Sequence, residues 1–371
     1  MQKNKTISDA VRPTYTSCSR DNSNCSSSIS AMYISKTRQP YRSARFLALS
    51  HHSEVVYSAA LVRPGSNSRA SLSAIATAQA SGATTTNLKI LEMQRDFAKS
   101  MIKTNFEAEM NQIESQTVQI FYGLLQAKEN LNVTKDNLKV QKDLFANVQR
   151  KYDLGMAAKI DLMVAENAVI NAENNVAAAE TAYKTAKMNF NYLLGYEVMQ
   201  EVEVTDELVA LPFPEVTLTD AIQSALVNRP ELKGTAFALD VQAIMMKSIE
   251  VKYPKDSATY LQQLSAYEKQ AKMAADLPSY IEIDIRTKYM NLNDLHAKIK
   301  AAEATKANAQ AAYDIALISY NSGMNTLTDV QQAQVQNFQA GQAVTAAITS
   351  YNLAVYEFEH SMGVGTSRIS F

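Results

Sequence analysis

Turn formers are scarce in this chain of 371 residues: Gly occurs 10 times and Pro 8 times. Each is under half its usual share, which excludes a many-stranded sandwich or barrel needing a turn every ten residues or so. Trp is absent and Ala abundant, a combination that favours long, closely packed helices. Two Cys and four His leave little material for metal or thiol chemistry. His51-His52 lies in a basic stretch, and His296 and His360 are lone histidines on helical segments, so no Cys/His spacing fits zinc. No Gly-rich phosphate loop is present, because Gly363-Val364-Gly365 follows a helix instead of opening one. These absences argue against an enzyme and against a bound cofactor or metal.

Charge is balanced overall, with Lys+Arg 36 against Asp+Glu 37, so the chain is no polyanion binder and no nucleic-acid partner is expected. The lysines at 135, 139 and 142 read as a solvated face. The balance conceals an asymmetry. Residues 1–82 hold ten Lys/Arg, three Asp/Glu and 18 Ser. That stretch lacks sustained periodicity and reads as disordered or atypical. No secretory signal is legible, since the best apolar run is only Phe46-Leu47-Ala48-Leu49. The expectation is a mis-assigned start or a truncated gene rather than a transit peptide. Cys18 and Cys25 allow one disulfide or two free thiols. Val330 to Tyr356 is uncharged and long enough to span a membrane, but six Gln and an Asn between 331 and 342 make hydrocarbon prohibitive.

What is present is a repeat. Shifted by 168 residues, Tyr152 falls on Tyr320, Gly155 on Gly323, Asp161 on Asp329, Tyr183 on Tyr351, Phe190 on Phe358 and Gly195 on Gly363. Ala165, Ala172, Ala179 and Ala186 fall on Ala333, Ala340, Ala347 and Ala354. Alanines every seven residues form a seam along which two helices supercoil and approach closely. Leu124, Leu131, Leu138, Phe145 and Tyr152 make a second seam on the preceding arm, and Lys306 breaks its copy. The spacing predicts two antiparallel helical hairpins, with arms 105–153 and 159–194, then 284–321 and 326–362. Gly155 and Gly323 mark the bends, because Gly is the usual residue past a helix C-terminus. Thr326-Leu327-Thr328-Asp329 is a capping-box pattern, whereas the first copy has Ala158 in place of Thr326.

The domain reading is 1–82 atypical, 83–195 first hairpin with its tip near 153–158, 196–216 linker, 217–283 connecting helices, and 284–365 second hairpin with its tip near 321–326. In the linker Glu201-Val202-Glu203-Val204 alternates like a strand. Thr217 or Thr219 caps the next helix, and Pro230 forces a kink or restart. Leu277-Pro278 reads as a further break, with Ile281 to Ile285 opening the helix beyond it. Periodicity alone leaves open a generic coiled-coil hairpin protein with a structural role.

The tip pattern Arg150-Lys151-Tyr152-x-x-Gly155, with Asp161-Leu162 and Ala165-Glu166, resembles that of the outer-membrane efflux channel (TolC-type) family. So does Tyr320-x-x-Gly323-x-x-Thr326-x-x-Asp329-Val330 with Ala333. Asn191-Tyr192-Leu193-Leu194-Gly195 resembles the end of that family's first half, and Thr217 through Asn228-Arg229-Pro230-Glu231-Leu232 the start of its second. The resemblance covers roughly 105–365. It implies a trimer in the outer membrane and periplasm, whose six hairpins close into a hollow α-helical barrel and whose halves each carry membrane strands; this sequence departs from that pattern and is expected to be all-α (mainly). It also implies a passive duct for multidrug efflux or type I secretion, docked to a periplasmic adaptor and an inner-membrane pump. Membrane strands would fall near 70–105 and 253–285, where the sequence lacks clean alternation, so few or no strands are expected.

Candidate adaptor contacts at the tips are Tyr152, Leu154, Gly155, Met156, Tyr320, Ser322, Gly323 and Met324. Asp161 and Asp329 would give a trimer up to six carboxylates near one mouth, an acidic ring favouring cations. Both also suit a plainer role at helix N-termini, through the dipole. The alternative to a duct is a non-channel coiled-coil scaffold or adaptor.

Overall fold

The computed structural model describes residues 73–80 and 84–369. All of them belong to a single unit, Thr37–Phe371. The sequence expectations for 1–72, including those for Cys18 and Cys25, lie outside the described residues.

Residues 73–80 are helical, and six helices follow. They are α1 (Thr85–Asp153), α2 (Lys159–Leu194), α3 (Leu218–Asn228), α4 (Pro230–Lys252), α5 (Ala258–Asn321) and α6 (Leu327–Ser361). No strand occurs among the described residues. No helix among them is long and apolar enough to cross a membrane. The mainly α fold of two long hairpins is the one the repeat implies.

Several helices start where a side chain can take up an orphan N–H. Thr84 accepts from Asn87 N at the head of α1, Thr217 from Asp220 N at α3, and Ser257 from Tyr260 N at α5. Pro230 occupies the first turn of α4, where its missing N–H is no loss. α1 therefore begins at Thr85, twenty residues before the periodicity becomes legible. It spans 69 residues, about 100 Å.

α5 likewise begins before the expected position and runs through Pro278 without a break. Pro278 lies on the exposed side of the helix, so the carbonyl it leaves unbonded can face water. Buried Tyr260 before it, and Ile281 and Ile285 after it, hold both flanks in register. Both windows in which membrane strands would fall are helical over most of their described residues.

α1 packs on α2 and α5 packs on α6, giving the two hairpins. α1 also packs on α6, which joins the hairpins through their inner arms. That join is antiparallel: Asn137 meets Gln334, Val133 meets Gly341 and Glu114 faces His360. α2 and α5 are the outer arms. α3 packs on α5, and α4 on α5 and α1, at the end away from the tips.

The core is divided among three clusters. One lies near the tips around Leu144, Val148, Tyr313, Leu327 and Val330. The other two lie at the roots, around Phe121, Tyr122 and Phe190, and around Ile285, Leu292, Tyr351 and Phe358.

The segment 201–216 is extended but pairs with no strand. Its alternation shows instead as burial: Val202, Val204, Asp206 and Leu208 turn inward, while Glu201, Glu203, Thr205 and Glu207 face water. Side chains supply what a sheet would have supplied. Lys128 Nζ donates to Val204 O at 2.6 Å and to Asp206 O at 3.1 Å. Asn191 Nδ2 donates to Val198 O and Gln200 O at 3.1 and 2.8 Å. Asn352 Nδ2 donates to Val209 O at 2.8 Å, and its Oδ1 accepts from Leu211 N at 2.9 Å. The linker is thus a strap tied to both hairpins. Burial pushes the Asp206 carboxyl up from its ordinary range, with the Lys128 charge pulling the other way.

Candidate functional site

The two hairpin tips are built alike. After Asp153, Leu154 N donates to Arg150 O, Gly155 N to Tyr152 O at 2.9 Å and Met156 N to Lys151 O at 2.7 Å. After Asn321, Ser322 N donates to Ile318 O, Gly323 N to Tyr320 O at 3.1 Å and Met324 N to Ser319 O at 2.8 Å. Each is a Schellman motif, in which the last carbonyls of a helix are closed by a residue in the left-handed region. Gly155 has φ 73° and Gly323 φ 78°. A Cβ at either position would meet nothing within 4 Å. Glycine is required there by backbone conformation and not by crowding.

The turns leave apolar side chains in water. Leu154, Met156 and Met324 are 75%, 73% and 74% exposed. Gly155, Ser322 and Gly323 are also exposed, and Tyr152 stands at 36%. Tyr320 does not share this exposure. It is buried at 9%, in the cluster between the tips. Burial and then the nearby Asp161 charge push its phenol up from the ordinary value.

Lys151 and Asn147 join the two tips. Lys151 Nζ donates to Tyr320 O at 3.0 Å and lies 3.8 Å from the centre of the Tyr320 ring. Asn147 Nδ2 donates to Asn321 Oδ1 at 2.9 Å. Sequence reasoning missed both bridges. Lys151 stood within the quoted tip pattern, but spacing gives no sign that it reaches the other repeat.

Asp161 and Asp329 each serve the start of their own helix. Asp329 Oδ2 accepts from Thr326 N at 2.9 Å and from Thr326 Oγ1 at 2.7 Å, and Thr326 Oγ1 accepts from Asp329 N at 3.3 Å. The Thr326 hydroxyl, then its backbone N–H, hold the Asp329 carboxyl below its usual range. Asp161 Oδ2 accepts only from Ala158 N, at 3.3 Å, because Ala158 has no side-chain oxygen to reciprocate.

The alanine seam is partly covered within this chain. Ala165, Ala172 and Ala340 are buried, and Ala179, Ala186, Ala333, Ala347 and Ala354 half-buried. The outer arms carry a different set of apolar residues. On α2, Ile160, Met163 and Ile170 are exposed at helical spacing. On α5, Met273, Tyr280, Ile283 and Met290 are exposed at intervals of seven, three and seven residues, and Ile315 and Ile318 lie farther along. Among the described residues no group of His, Cys, Asp and Glu is placed to hold a metal.

The fold has known counterparts. Residues 257–364 match the family described as outer membrane efflux protein. That match takes in the second repeat and leaves the first outside it. A curated relative, the toxin and drug export protein A of Aggregatibacter actinomycetemcomitans, is 21% identical over 265 residues, covering 68% of this chain and 55% of its own. The chain spans just over half the length of the curated relatives it matches.

The outer membrane protein VceC of Vibrio cholerae shares the fold at a TM-score of 0.65 and 12% identity, over 88% of this chain and 97% of that one. The MtrE outer membrane channel of Neisseria gonorrhoeae, solved in its open state, does so at 0.62 and 11%, over 89% and 90%. The fold shared with these outer-membrane proteins therefore extends across both hairpins, including the first, which the family match does not reach.

Proposed function

We propose that this chain is a subunit of a passive export duct of the outer membrane and periplasm, built from three copies. The observation that carries the reading is the pair of exposed tips held side by side by Lys151 at one end of an open array of four long helices. Its outer arms, α2 and α5, carry apolar side chains at helical spacing that another copy can cover. Three copies would bring six hairpins round an axis and set six tips at one mouth. Leu154, Gly155, Met156, Ser322, Gly323 and Met324 then form the surface for a periplasmic adaptor serving an inner-membrane pump, with Tyr152 at its border. Asp161 and Asp329 would stand behind that surface as a ring of carboxylates. One relative is named for toxin and drug export, which supports a cargo of that kind without selecting one.

Mass measurement on the purified chain in detergent tests the assembly. A trimer is expected, and a stable soluble monomer or dimer would favour a coiled-coil scaffold instead. Gly155→Val and Gly323→Val test the tips. Drug resistance should be lost while helical content stays unchanged, and full resistance in both variants would remove the docking role.

A further inference from the structure

The join between the hairpins is lined by amides and hydroxyls to an extent that the outer packing is not. Thr134, Asn137 and Gln141 on α1, and Gln334, Thr345 and Thr349 on α6, are all buried. The threonines turn back on their own helices, as Thr134 Oγ1 donates to Asn130 O and Thr349 Oγ1 to Thr345 O. One amide bond crosses within this set, Gln334 Nε2 to Asn137 Oδ1 at 2.9 Å.

Around it three amide atoms are sealed from solvent without a partner: Gln141 Oε1, Gln334 Oε1 and Gln331 Nε2. Gln141 lies one turn beyond Asn137 on α1, and Gln331 one turn before Gln334 on α6. The antiparallel register that pairs 137 with 334 and 133 with 341 sets Gln141 opposite Gln331.

We propose that these three side chains form a binding site for one ordered water molecule. The chemistry selects it. Two acceptors and one donor match a molecule that gives two hydrogen bonds and takes one. A cation would be repelled by the Gln331 N–H group, and an anion by the two oxygens. Three partners is also the usual number for a water held inside a protein. Left unmet, each buried amide atom would weigh against the folded join. The water makes the meeting of the hairpins a bridged contact where a purely apolar one could have stood.

Two measurements on the full chain in detergent test this. A crystal structure at a resolution that orders buried water should show a density peak within hydrogen-bond reach of all three atoms. A direct Gln141–Gln331 bond with no peak would overturn the site. The second is a double-mutant cycle on the unfolding equilibrium with Gln141→Met and Gln331→Met, chosen to preserve side-chain length. A shared water couples the two positions by about threefold or more in the unfolding constant. Additive effects would overturn it, since residues without a shared partner should not sense each other.

Discussion

Lys151 spans the gap between the repeats to reach Tyr320, placing its ammonium on the backbone carbonyl and above the ring of the same residue. A cation on a last-turn carbonyl also suits the negative end of α5. Lys151→Met should remove both contacts, loosening the tip by about 1–2 kcal/mol. Amide exchange reports it, because Gly323 N–H bonds to the same Tyr320 carbonyl and should exchange faster. Burial lowers the Lys151 ammonium below its ordinary 10.5, so the fold disfavours the charged form. That penalty is present at neutral pH and is relieved as pH rises toward the ordinary value. The difference between wild type and Lys151→Met should therefore change at alkaline pH and stay flat below it.

At the other side of the second tip, Asp329 and Thr326 predict an acid response. The carboxyl is held below its ordinary 3.8. Its contribution is complete above that value and is lost as pH falls through the lower folded one. Amides of the first turn of α6 should lose protection in that acid window. Asp329→Asn should abolish the pH dependence. Asp161→Asn should change less, since Asp161 makes a single long bond.

Gly341 faces Val133, and a Cβ there would sit 3.1 Å from Val133 Cγ1. A branched side chain at Val133 has few rotamers in which to yield. Gly341→Val should destabilise by about 1–3 kcal/mol through overpacking. In Gly341→Ala the gain in helix propensity, about 1 kcal/mol, should offset most of the strain. Thermal midpoints of the two variants, compared with wild type, decide this.

Asn352 holds two backbone groups of the strap at once, and Leu211 is itself buried. Asn352→Leu should strand both, at about 1–3 kcal/mol each. Limited proteolysis between 205 and 216 should become faster, with the hairpins otherwise intact.

The repeat was legible because it is written in residue types with few substitutes. Glycine at a left-handed turn, alanine at a close seam and a Thr/Asp pair at a helix start each follow from local geometry. Local rules also misled. Leu277-Pro278 read as a break, yet a proline on the wet side of a long helix loses only a bond that water replaces. Glu201-Val202-Glu203-Val204 read as a strand; no strand forms there, Val204 O is held by Lys128, and the linker on either side by Asn191 and Asn352. Asn352 is 143 residues away from Val209, and no period or spacing carries such a pairing. Tyr320 was grouped with the tip residues because Tyr152, its counterpart, flanks a bend. Only packing separates the covered ring from the half-open one.

α1 touches α2 on one side, α6 on another and α4 near its start. Deleting one residue from its middle would rotate everything beyond by about 100°. The sides meeting its neighbours would then miss all of them together. Removing seven would restore the phase but shift the register against each partner by about 10 Å. In this helix, therefore, any indel must be matched in its neighbours, a constraint that shields it more strictly than burial of any single side chain.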